Sequence, residues 1–182
     1  MRVVKLAALA VLAYSITIGA QAPTKAGNVM SDAIRSGWNG AKRNMLGSAK
    51  VMPEAKYGFK PADTVRTYGQ ILAHVAGANY EFCSAARGEK PPFSEDHFEK
   101  TAITPAAIAK ALQDSVAYCD AAYTALTDAS AVEMINGPFG GGKEARAVGL
   151  MGNTNHNNEH YGNLVTYLRI NGLVPPSSAP SR

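Results

Sequence analysis

Four clusters of proline and glycine cut this chain into long stretches whose apolar residues recur at intervals of three and four. Met52-Pro53 closes the first stretch and Gly88-Glu-Lys-Pro-Pro92 the second. Gly137-Pro-Phe-Gly-Gly-Gly142 closes the third, and Asn171-Gly172 with Pro175-Pro176 closes the last. Between such breaks, a spacing of three and four lines apolar side chains along one side of an α-helix. Val29, Ala33, Ile34, Trp38, Ala41, Met45 and Ala49 predict a helix over 29–51. After a connecting loop over 54–62, Asp63 or Thr64 is placed to cap a second helix that runs to 87 with Val65, Tyr68, Leu72, Val75, Asn79 and Phe82 on one side. Thr104-Pro105 opens a third, because threonine caps and proline at the first helical position gives up an amide that has no partner anyway. It continues through Ile108, Leu112, Val116, Cys119 and Tyr123 to about 129. The fourth spans about 143–170, with Leu164, Tyr167 and Leu168 for packing. The stretch from 93 to 103 has no period, and no alternating pattern is long enough to make a strand. Four such helices with modest connectors give an all-α fold, a four-helix bundle.

The N-terminal residues read as a targeting segment. Met-Arg-Val-Val-Lys5 is positive, 6–18 is apolar, and Gly19-Ala-Gln-Ala22 offers a small-residue cleavage box. The expected division is therefore a signal peptide over 1–22 and a single domain over 23–182, with cleavage after Ala22 or, since Pro23 follows it, after Ala20. The apolar run is short for a bilayer span, so the mature chain is expected to be periplasmic or secreted and free of the membrane. The whole chain carries a formal charge of +4, and removing Arg2 and Lys5 with the leader leaves +2. The basic residues are scattered, which argues against a nucleic-acid partner. Export places Cys83 and Cys119, the only 2 cysteines, where disulfides persist; one bridge between two helices is expected. The glycine-rich stretch lacks the following Gly-Lys-Ser/Thr and the preceding strand of a phosphate loop, so it reads as a flexible connector overhanging the site.

The chemistry sits in three of the 4 histidines. His156 and His160, one helical turn and about 6 Å apart, share a face and can grip one cation. His74, in the middle of the second helix, would complete a facial tripod that leaves coordination positions open, as a catalytic metal requires. Three neutral imidazoles leave a divalent ion its full charge, so a bound water is acidified or is displaced by a thiolate or carbonyl. Zinc fits this donor set, and nickel and iron(II) share it. Gln70 lies one turn before His74, and Asn153 and Asn157 precede the helix-four pair by three residues each, so these amides are candidates for the second ring nitrogens. His156-x-x-Glu159-His160 also matches an inverted zinc-protease motif in which the glutamate shuttles protons. Those proteases need a carboxylate ligand far downstream, and the 22 residues after His160 contain none. Glu159 is retained as a candidate general acid or base. His97 falls in a polar, solvated stretch, and Tyr161 and Trp38 are aromatic candidates for a pocket wall or the core.

The segment Gln70-Ile-Leu-Ala-His74-Val, the His156/His160 pair and the ending His160-Tyr-Gly-Asn-Leu-Val-Thr-Tyr-Leu-Arg169-Ile-Asn-Gly172-Leu-Val-Pro175-Pro176 resemble the DinB-like superfamily of metal-binding four-helix bundles. The likeness extends from about Val29 to Pro176. It implies that His74, His156 and His160 are the metal ligands and that a homodimer formed through bundle faces is a candidate assembly. It implies no DNA chemistry. Family relatives include metal-dependent thiol transferases and a maleylpyruvate isomerase that use low-molecular-weight thiols. The expected function is an exported metal-dependent enzyme of hydrolase or transferase type, acting on a small molecule at the open metal position. The alternative is a non-catalytic periplasmic metal- or ligand-binding bundle with a stress-related role.

Overall fold

The structure, a computed structural model, describes residues 27–180; the expected signal peptide lies outside the described residues. Within them the chain is built on four long helices, α1 (Val29–Val51), α2 (Tyr68–Arg87), α4 (Pro105–Ala125) and α6 (Arg146–Ile170). Two short helices, α3 (His97–Thr101) and α5 (Asp128–Ala131), and a two-stranded ribbon, β1 (Met134–Asn136) with β2 (Lys143–Ala145), occupy the connections. The ribbon is antiparallel with Ile135 opposite Glu144. Among the described residues no helix is long and apolar enough to cross a membrane.

Local chemistry explains where each helix begins. The N-terminus of α1 is capped from a distance: the Asp128 carboxylate accepts from the backbone amides of Met30 at 3.2 Å and Ser31 at 2.7 Å. An anion suits the positive end of a helix, and this one ties α5 to α1. Helix α2 starts at Tyr68, four or three residues later than a cap at Asp63 or Thr64 would have it. Thr67 and Gln70 form a reciprocal capping box there, a stronger start than a lone polar residue. Thr104 caps α4 with Pro105 behind it, as expected. The third helix stops at Ala125 and not near 129, because Leu126 turns to an extended ψ of 131° and Thr127 caps α5 anew with Ser130. The aperiodic stretch holds α3, where His97 stacks on Phe93 with centroids 4.7 Å apart, so it is less solvated than expected.

Helix α2 is the central element, with every residue from Ile71 to Tyr80 buried, packed chiefly against α4, α6 and α3. The core around it contains Met45, Leu72, Leu112, Leu150, Leu164 and Leu168. Trp38 is 1% exposed and lies flat on Tyr123, with centroids 4.7 Å apart and planes 3° from parallel. Its indole nitrogen donates to Asp120 at 2.7 Å. Cys83 and Cys119 form the expected disulfide, joining α2 to α4 at a Cα separation of 5.3 Å.

Candidate metal centre

Helix α2 brings His74 and helix α6 brings His156 and His160 to one place. The Nε2 atoms of His74 and His156 are 3.2 Å apart, and so are those of His156 and His160. One nitrogen from each of the three rings lies within 4.8 Å of the other two. Three imidazoles sharing one tetrahedral ion at about 2.0–2.1 Å have nitrogens about 3.3 Å from each other, so the two separations at His156 already match a ligand set. Burial, helped by the neighbouring His160 and His74 rings, pushes His156 down to about 3. Burial, with His74 next, pushes His160 down to about 4, and burial also lowers His74. Neutral rings at neutral pH are what metal ligation requires. With the ring proton on Nδ1, the Nε2 lone pairs face one another, an arrangement that a shared cation stabilises.

The surroundings differ from those the sequence suggested. Gln70 is spent on the capping box, its side chain accepting from the Thr67 amide at 2.9 Å. Asn157 donates to Asn79 Oδ1 at 2.8 Å and to the Asn153 carbonyl at 2.9 Å. Asn153 donates to the Tyr123 hydroxyl at 3.2 Å and toward both disulfide sulfurs at 3.7 Å. With Asn79 donating to Ser115 at 3.1 Å, these amides form a buried polar ladder beside the histidines that contacts no imidazole. The Nδ1 atoms of His156 and His160 meet no protein partner. Glu159 is solvent-exposed on α6. Tyr161 donates to Ser177 Oγ at 2.7 Å, locking the C-terminal turn on α6, and Trp38 belongs to the core.

The carboxylates next to the cluster come from the connector that had no period. Glu99 Oε1 lies 3.2 Å from His74 Nδ1, though off the N–H direction, and its other oxygen accepts from Arg66 Nε at 3.0 Å. Glu95 Oε1 lies 3.5 Å from His74 Nε2, the nitrogen that faces the other two rings. The sequence held one signal for this approach. Gly77 sits inside a helix, where glycine costs about 1 kcal/mol relative to alanine, and such a residue marks close contact with another backbone. The glycine-rich connector reaches toward the site through Phe82: Phe139, in the left-handed region at φ 56°, meets Phe82 edge-on at 5.0 Å, and Phe82 lies 5.7 Å from His156. A cleft of about 380 Å³ borders the same stretch of α2, with Gln70, Ala73 and Glu99 in its wall.

A helical bundle with three convergent imidazoles from two of its helices defines a class, the metal-site bundles. The family model for the DinB superfamily matches residues 38–164, and the chain belongs to that superfamily. Solved structures share the fold at low identity. A DinB-like protein from Bacillus cereus ATCC 10987 is 18% identical, with 83% of this chain and 96% of that one covered at a TM-score of 0.62. A mycothiol-dependent maleylpyruvate isomerase is 16% identical, with 74% of this chain and 60% of that one covered at 0.61. A conserved protein from Enterococcus faecalis is 17% identical, with 75% and 93% covered at 0.58. No curated protein sequence is matched.

Proposed function

We propose that this chain is an exported, metal-dependent enzyme of hydrolase or transferase type that acts on a small molecule at an ion held by His74, His156 and His160. The observation that carries the reading is the convergence of the Nε2 atoms of buried His74 and His160 on that of half-buried His156, 3.2 Å from each. A divalent ion of the zinc, nickel or iron(II) kind would supply Lewis acidity there. The chain's own contribution is to hold the rings neutral by burial and to orient His74 through Glu99 and Arg66. Phe82, backed by Phe139, lies on the His156 side. The neighbouring cleft falls in the range of small-ligand pockets, about 300–1,000 Å³. Export is supported by the disulfide, which suits an oxidising compartment, together with the leader pattern over 1–22. One solved neighbour is a thiol-dependent isomerase, which keeps transfer to a small thiol within the proposed reaction class.

The test is elemental analysis of protein purified without an affinity metal column, followed by turnover of ester, amide and thiol-electrophile panels. About one ion per chain is expected in the native protein. His74→Ala and His160→Ala are expected to abolish it while the helical circular-dichroism spectrum persists, because the core is independent of the site. A loaded native protein that turns over nothing while binding a small ligand tightly would favour the non-catalytic binding alternative.

A further inference from the structure

The metal reading leaves open what fills the position that three imidazoles do not. We infer that Glu95 is a fourth, anionic ligand of the same site, held over it by a notch cut into α2 at Gly77. The inference rests on the His74/His156/His160 reading and goes beyond it.

Two independent observations support it. First, of the carboxylates in the connector, Glu95 is the one that addresses the ring nitrogen shared with the cluster: its Oε1 lies 3.5 Å from His74 Nε2, whereas Glu99 addresses the opposite nitrogen, Nδ1. An oxygen and a nitrogen bound to one tetrahedral ion stand about 3.4 Å apart, so the contact has the length of a pair of co-ligands. Glu95 touches His74 alone of the three, and closing on the ion takes a turn of its side chain. That side chain is 41% exposed, and His74 is its one ion-pair partner among the described residues, so the turn breaks no other ion pair.

Second, the backbone of Glu95 is built into α2. A Cβ added to Gly77 would fall 1.9 Å from the Glu95 carbonyl oxygen, 2.6 Å from its carbonyl carbon and 2.9 Å from its Cα. Every clash is with main chain of that one residue, which cannot swing aside as a side-chain tip could. Gly77 follows His74 by three positions, on the same face of the helix. The glycine in the middle of α2 is thus the place where Glu95 rests next to the histidine cluster. Replacement of a neutral water by a carboxylate lowers the net charge of the bound ion by one, weakens its Lewis acidity and raises its retention. The position is then opened by displacement of Glu95, so an incoming anionic group competes with it directly.

The experiment compares native protein, Glu95→Gln, Gly77→Ala and Glu81→Gln by chelator-competition titration of zinc and by the visible spectrum of the cobalt(II) form. Glu81 serves as the charge control, because burial and then the neighbouring Glu95 charge raise its pKa, and none of the hydrogen bonds or ion pairs it makes among the described residues involves the three histidines. Glu95→Gln is expected to lose at least tenfold in zinc affinity and to change the cobalt band positions and intensity. Gly77→Ala should do the same while keeping full helicity, since alanine favours the helix itself. Glu81→Gln should leave both readouts native. A native cobalt spectrum in Glu95→Gln, or an equal affinity loss in Glu81→Gln, would overturn the inference and leave the three-histidine site standing. Native protein that binds neither ion would overturn both.

Discussion

At the residue scale, the site combines parts that a sequence displays with parts that it hides. His156 and His160 are legible because helix geometry alone places residues four apart on one face, and His74 is legible as a lone imidazole in an apolar helix. Their orienting groups are not. Gln70, Asn153 and Asn157 have suitable helical spacings, but each amide is drawn to a nearer backbone or side-chain partner. Glu99 reaches His74 across 25 positions from a connector without periodicity, where register gives no guidance. The carboxylate–imidazole–ion arrangement predicts that Glu99→Gln lowers zinc affinity about tenfold, read by competition with a chelator, with the helical spectrum unchanged. A native affinity would show that Arg66, not His74, is the partner that matters to Glu99.

At the element scale, periodicity located all four long helices, and the breakers located their separations. The errors sit at boundaries. A capping box at Thr67 shortened α2 and another at Thr127 split the third helix, since reciprocal caps win over a continuing apolar pattern. The ribbon was missed because strands of 3 residues carry too few alternations to register. The disulfide crosses between α2 and α4, and its two sulfurs also face the Asn153 amide in the polar ladder. Replacing Cys83 and Cys119 by alanine together should reduce stability by about 3–4 kcal/mol, from loss of the constraint on the unfolded loop. Urea unfolding should then show a lower midpoint, and native protein treated with reductant should approach the same value.

At the scale of the whole molecule, the three imidazoles make stability depend on pH. The folded rings of His156 and His160 titrate at about 3 and about 4, below the ordinary 6.5, so the unfolded chain binds more protons as pH falls. Stability of the metal-free protein is therefore full above pH 6.5 and declines toward pH 4. The two shifts taken alone are worth about 5 kcal/mol across that window, and solvent screening at half-buried His156 and around the site reduces this to a loss on the order of 2 kcal/mol, roughly 5 °C in Tm for a chain of this size, to be read by calorimetry. Zinc should raise stability by a near-constant amount across the upper part of that window without changing the slope, because the folded rings are neutral there with or without the ion.

The flat contact between Trp38 and Tyr123 gives the molecule a built-in optical gauge. The chain has 1 tryptophan, so its emission comes from a single sheltered indole whose neighbour, Tyr123, donates its hydroxyl to the Leu150 carbonyl at 2.6 Å on the helix that carries His156 and His160. Any tilt of that helix when an ion is loaded or withdrawn is transmitted to the ring face against which the fluorophore lies. Steady-state emission and its lifetime can therefore follow occupancy without an added dye.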